Sequence, residues 1–215
     1  MIAAVFDVDR TLLPRTTAER VFVRRLWRDG ELGWRQALAG LLFSVKRPGP
    51  GLPGEWRAQR PYLRGLDHQR IAALARRCFE EELRPRLARR GLERLRQHRN
   101  EGALAVLLSG SLAELIEPMG EHVGADVTIA SRLRLVGSRI AGGLAGPHPY
   151  GATKVALIER LVHDRSIDLL SSFCYADHHT DEPMLRLFGH PVCVNPSERL
   201  RDLARRYGWP VEEFA

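Results

Sequence analysis

An α/β fold is what this sequence predicts: a doubly wound parallel sheet carrying an inserted, all-helical cap. An apolar run at the head of the chain, Ala3-Ala-Val-Phe6, has the length of a strand and stops at two carboxylates, Asp7 and Asp9. From Gly91 onward, short apolar runs alternate with segments of helical spacing, the pattern of a parallel sheet covered on both faces. Between the two, residues 15–85 show helical periodicity and no strand pattern. The expected division is a core of residues 1–14 and 86–215 with a cap of residues 15–85.

In the first strand, side-chain alternation sends Asp7 and Asp9 to one side and Val8 to the other. After Pro14, Thr16 and Glu19 stand at capping-box spacing ahead of an apolar face of Val21, Phe22 and Leu26, and Asp29-Gly30 ends that helix. A second helix is expected over Gly33–Val45, then a Pro/Gly loop at 47–54. Further helices are expected over Glu55–Leu63 and Asp67–Leu87, the latter with Ile71, Leu74, Cys78 and Leu83 at helical spacing. A helix over Leu92–Arg99 leads through Gly102 to a strand Ala103–Leu108, which ends in Ser109-Gly-Ser111. A helix with Leu112, Leu115 and Ile116 follows, then a strand Asp126–Ala130 and a hairpin over Arg132–Ile140 turning at Gly137-Ser138. The helix Gly151–His163 carries Lys154 near its start, and the strand Leu169–Ala176 runs into Asp177-His-His-Thr-Asp181. A helix Glu182–Phe188, a last strand Pro191–Val194 and a basic helical tail complete the order.

With 215 residues the chain can build one substantial domain with an insert, and its 44% hydrophobic and 27% charged residues are those of a soluble globular protein. Cys78, Cys174 and Cys193 lack CxxC spacing, which argues against a zinc framework or a disulfide scaffold and for a reducing, cytoplasmic setting. No signal-peptide pattern opens the sequence, and the longest apolar window, 37–45, is too short to cross a bilayer. The net charge of +7 and pI near 10.0 come from arginine, since lysine occurs only at 46 and 154. These arginines are scattered along helices, so neither a nucleic-acid nor a membrane partner is expected, whereas an anionic small substrate fits. The chain is expected to be a monomer or a homodimer.

Three strands thus end in polar groups: Asp7 and Asp9, Ser109 and Ser111, and Asp177 with Asp181. In a parallel sheet these ends share one edge, where such folds bind ligands. A carboxylate can attack a phosphoryl group, a second can move the leaving group's proton, and hydroxyl, backbone N–H and ammonium groups can hold phosphoryl oxygens. Carboxylates converging on one crevice also suit Mg2+.

Asp7-Val-Asp9-Arg-Thr11 resembles the first motif of the haloacid dehalogenase superfamily; Ser109 is similar to its second, Lys154 to its third and Asp177-His-His-Thr-Asp181 to its fourth. The segments His190–Pro196 and Gly208-Trp-Pro210 resemble the phosphoserine phosphatase-like branch. The resemblance covers nearly the whole chain, with the helical insert in the place of that superfamily's cap. It implies a Mg2+-dependent phosphomonoesterase that forms an aspartyl-phosphate from a small phosphorylated metabolite. Asp7 would be nucleophile and metal ligand; Asp9 would be acid/base and give the metal its backbone carbonyl; Asp177 would complete the metal site. Ser109, the N–H of Gly110 and Lys154 would bind phosphate, with Thr11 bracing the nucleophile loop and Asp181 supporting the metal.

Three departures stand out, one of them His178, which stands where the family often has serine. Arg10 occupies a position that is usually small in this family, and could either attract an anionic substrate or hinder access. Thr16 stands where phosphoserine phosphatases have a cap-entry glutamate; Glu19 lies one turn on. His178 and His179 are a poor zinc pair, because adjacent residues seldom reach one ion, and His148 is expected at the surface. The alternatives are a catalytically weak binding module on the same scaffold and a basic nucleic-acid-associated protein.

Overall fold

The computed structural model describes residues 1–34, 36 and 59–214. Six strands form one parallel sheet in the order β3-β2-β1-β6-β7-β8. They are β1 (Ala3–Asp7), β2 (Leu104–Leu112), β3 (Val127–Ser131), β6 (Phe173–Ala176), β7 (His190–Val194) and β8 (Val211–Glu212). The chain steps outward from β1 to β2 and β3, then returns to the other side of β1 with β6. The crevice at the carboxyl ends of β1 and β6 is therefore the switch point of the topology. Two residues are too few for alternation to show, which is why β8 has no sequence signal.

Alternation along β1 feeds two cores. Ala4, Phe6 and Val8 face one cluster with helices α1 (Ala18–Arg28), α2 (His68–Cys78), α3 (Arg89–Asn100) and α4 (Ala113–Val123). Val5 faces the other, built with α5 (Ala152–Arg165), α6 (Glu182–Leu185) and α7 (Glu198–Tyr207). Both faces of the sheet are covered, so its central strands read as continuous apolar runs. The buried cysteines lie here too: Cys174 and Cys193 on β6 and β7, and Cys78 at the end of α2, where burial pushes its thiol up to about 12.

Several boundaries differ from expectation. The α1 N-cap is Thr17, whose side chain accepts from the N–H of Arg20, and not Thr16. Thr16 is used by the preceding loop, its carbonyl accepting the Arg10 N–H at 3.0 Å. The helix over 67–87 divides into α2, a π turn over Phe79–Leu83 and a 3-10 turn at Arg84–Arg86 that starts around Pro85. The helix expected at 33–45 and the loop at 47–54 lie, save for residues 33, 34 and 36, outside the described residues. So does the start of the one expected over 55–63, whose described part is a 3-10 turn, Pro61–Leu63. Pro61 lacks an N–H to continue an α-helix. Instead the segment from Gln59 to His68 lies alongside the hairpin of β4 (Leu133–Val136) and β5 (Arg139–Leu144): Arg60 donates to Gly142, Gly65 to Ile140 and His68 to Ser138, all through backbone groups. Among the described residues no helix is long and apolar enough to cross a membrane.

His98 of α3 is packed between Phe6 and Phe173, with Nε2 2.7 Å from the Tyr175 hydroxyl and Nδ1 without a hydrogen bond among the described residues. Burial holds its pKa below the usual value, partly opposed by Glu101. The unfolded chain therefore binds a proton, as pH falls below about 6.5, that the folded chain refuses, and stability declines with acid there. The slope from this one group is at most about 1.4 kcal/mol per pH unit. Urea midpoints at pH 7.5 and 5.5 should diverge less in His98→Gln than in the parent; equal divergence would remove His98 from the acid sensitivity.

Candidate active site

The β1 carboxylates enter the crevice by two different routes. Asp7 closes the strand and is 5% exposed. One oxygen is 2.6 Å from the Lys154 ammonium, and the other accepts the Thr11 hydroxyl at 3.2 Å. Asp9 lies in the tight turn that follows. Its Oδ1 accepts the N–H of Ala18, the first residue of α1, at 2.7 Å, and its Oδ2 accepts the hydroxyls of Ser109 (2.9 Å) and Ser111 (2.7 Å). Both serines reach Asp9 because β2 breaks its register with β3 between Leu108 and Leu112, and such irregularities re-aim side chains.

Lys154 is delivered by the first turn of α5. Gly151 at φ 52, ψ −130 makes the entry, a conformation that side chains with a Cβ avoid. The lysine is 3% exposed and bridges Asp7 and Asp181, the second at 3.0 Å. Burial works against its ammonium, but the two carboxylates outweigh that and raise its pKa above the ordinary lysine value. Asp177 follows β6, and Asp181 sits at the end of the short 3-10 turn His179–Asp181. Asp177 is itself paired with the Nε of Arg10 at 3.2 Å.

Asp7, Asp177 and Asp181 each offer an oxygen, all within 4.8 Å of one another and all on buried residues. So close a set of acids is short of positive charge even with Lys154 and Arg10 beside it. Burial pushes the Asp7 carboxyl well above the usual range; Lys154 pulls it back, while Asp181, Asp177 and Asp9 push it further. Asp177 is pushed up to about 6, again chiefly by burial, with Arg10 opposing. Hard oxygen donors, buried and crowded, fit a divalent cation such as Mg2+.

A cavity of about 430 Å³ opens over these groups, a size suited to a small metabolite. Among the described residues, its lining includes Asp7, Asp9, Arg10, Gly110, Lys154, Asp177 and Asp181 from the expected set. Ser109 is fully buried behind Asp9, and Ser111 lines the cavity in its stead. Thr11 is likewise buried beneath Asp7, and Thr16 is not part of the lining, whereas its neighbour Thr17 is. Glu19 also lines the cavity, and it takes the Tyr62 hydroxyl and pairs with Arg60.

Sequence reasoning missed Arg60, His148 and Tyr150. His148 is not a plain surface residue: its Nδ1 is 2.8 Å from the buried Ser131 hydroxyl, and its ring lies over Gly110, where an added Cβ would meet it at 3.1 Å. The only available signal was the aromatic pair His148 and Tyr150 just ahead of the lysine helix. His178 bonds Thr180 through Nδ1 at 2.9 Å, and neither it nor His179 belongs to the acidic cluster.

The Inhibition of morphological differentiation protein of Streptomyces azureus is 29% identical over 217 residues, covering 99% of this chain and 78% of that protein. Phosphoserine phosphatase SerB1 of Mycobacterium tuberculosis is 27% identical over 219 residues, covering 99% of this chain and 70% of its own. Among solved structures, a protein of unknown function from Bordetella pertussis Tohama I superposes with a TM-score of 0.86 at 25% identity, covering 99% of this chain and 98% of that one. A family model described as haloacid dehalogenase-like hydrolase matches residues 4–186, a span that holds the three clustered aspartates, Asp9 and Lys154. The chain belongs to the haloacid dehalogenase-like hydrolase family.

Proposed function

We propose that the chain is a Mg2+-dependent phosphomonoesterase whose nucleophile is Asp7. The observation that carries this reading is the placement of one buried carboxylate at the switch point, anchored by Lys154 and Thr11 and facing two further acids. Asp7, Asp177 and the backbone carbonyl of Asp9 would hold Mg2+, with Asp181 contributing directly or through Lys154. When bound, Mg2+ supplies the positive charge that lets an anionic phosphate ester approach an anionic nucleophile.

An Asp7 oxygen forms a bond to phosphorus as the bond from phosphorus to the ester oxygen breaks, and Asp9 gives that departing oxygen its proton. Asp9 then takes a proton from water, whose oxygen attacks phosphorus and breaks the bond to Asp7, releasing inorganic phosphate. Lys154, the Gly110 N–H and the Ser111 hydroxyl, all on the cavity lining, hold the phosphoryl oxygens, while Ser109 acts from behind them by holding Asp9. Thr11 fixes the rotamer of Asp7 through its 3.2 Å hydrogen bond.

The substrate is a small phosphorylated metabolite, which Thr17, Glu19 and Arg60, from the described part of the inserted stretch, help to enclose. The name of the mycobacterial relative supports a phosphoserine-like substrate, from which a serine-type alcohol departs. Glu19 and Arg60 on the cavity lining offer charge of both signs to it. The purified protein should hydrolyse an aryl phosphate in Mg2+, lose that activity in EDTA and regain it when Mg2+ is returned. Absence of hydrolysis at every Mg2+ concentration would overturn the reading.

A further inference from the structure

Two cations face the three-acid cluster, and they are held very differently. Lys154 is 4% exposed along its side chain and shared by two carboxylates, so it cannot leave. Among the described residues Arg10 pairs with Asp177, through Nε at 3.2 Å, and its side chain is 50% exposed on the lining of the cavity. Its backbone is pinned at both ends: the N–H donates to the Thr16 carbonyl at 3.0 Å, and the carbonyl accepts the Asn195 side-chain amide at 3.3 Å. A φ of 65, unusual for a residue with a Cβ, fixes the direction in which the side chain departs. The guanidinium therefore has two places to be, against Asp177 or out in solvent, and rotation of the side chain alone connects them. Asp177 cannot follow, because its carbonyl is bound by the Ser197 N–H at 2.9 Å and its carboxylate is 7% exposed.

We infer that Arg10 is a resident counter-ion on Asp177 which a divalent cation must displace, so that this one side chain sets the Mg2+ concentration at which the site fills. The inference rests on the metal role given above to Asp177. A divalent ion on the carboxylate and a guanidinium 3.2 Å from the same group repel each other in a partly dehydrated site. Each must then weaken the other's hold on Asp177 by the same factor.

Isothermal titration of Mg2+ into the whole chain, its Arg10→Gln variant and its Asp177→Asn variant tests this without reference to turnover. Arg10→Gln should bind Mg2+ about tenfold more tightly than the parent, within the usual range of such couplings. Arg10→Lys, which keeps the charge, should stay nearer the parent. Equal affinities in the parent and Arg10→Gln, with binding lost in Asp177→Asn, would overturn the role of Arg10 and leave the metal site standing. Binding unchanged in Asp177→Asn, or absent in every protein, would overturn the metal site and the inference with it.

Discussion

Asp7→Asn should lower kcat by at least about ten-thousand-fold while leaving the far-ultraviolet circular dichroism of the protein intact. The size follows from removing the atom that forms the covalent bond: what remains is positioning and charge stabilisation, as when other enzymes lose a nucleophile. The fold should survive because asparagine has nearly the same shape: its amide oxygen can keep the Lys154 ammonium, and the Thr11 hydroxyl can turn to accept from its NH2 group. Lys154 also retains Asp181. Turnover of an aryl phosphate under saturating Mg2+ measures the effect. A variant that keeps most of the parental kcat would show that the bond to phosphorus forms elsewhere.

Lys154→Met should act on stability and turnover together. The ammonium joins Asp7 to Asp181, and both carboxylates are buried, so its loss leaves two acids without their shared cation. Breaking a buried pair by removing one partner costs about 3–5 kcal/mol. In a chain of 215 residues that corresponds to a fall in Tm on the order of 10 °C. Asp7, whose carboxyl burial already raises and Lys154 holds down, can shed part of this cost by taking up a proton, so the deficit should shrink as pH is lowered, the opposite of the trend expected from His98. Lys154→Arg should not restore turnover, because a planar guanidinium does not fit where a compact ammonium lies 2.6 Å from one oxygen and 3.0 Å from another. Parental stability in Lys154→Met, by thermal melt at neutral pH, would mean that the bridge contributes nothing.

The sheet and the acid cluster were legible because they depend on short, local patterns. Apolar runs ending in Asp7, Ser109 and Asp177 place three groups at one edge of any parallel sheet, whatever the loops do. Lys154 was legible as the rare lysine of an arginine-rich chain at the start of a helix. What escaped depends on contacts between distant segments. His148 belongs to the cavity because Ser131, at the end of β3, meets its Nδ1, and Arg60 arrives there because its backbone pairs with β5. Neither pairing leaves a trace in residue spacing. The helix start at Thr17 was misplaced by one residue for a similar reason: of two adjacent threonines, the first is claimed by a backbone contact with Arg10. Ser111 was visible as a strand-end hydroxyl, but only the broken register of β2 shows that it, and not Ser109, borders open space.

The hydrogen bonds of Asp9 tie together segments that the chain keeps far apart. One oxygen holds the leading edge of α1, and the other holds two hydroxyls of β2, on the far side of the whole inserted stretch. A single side chain therefore works as a rivet at the joint, and α1 cannot tilt against the sheet without changing what that side chain is bonded to. Whatever draws that carboxylate away from either set of partners must also bias how α1 sits on the sheet, and the reverse holds with equal strength.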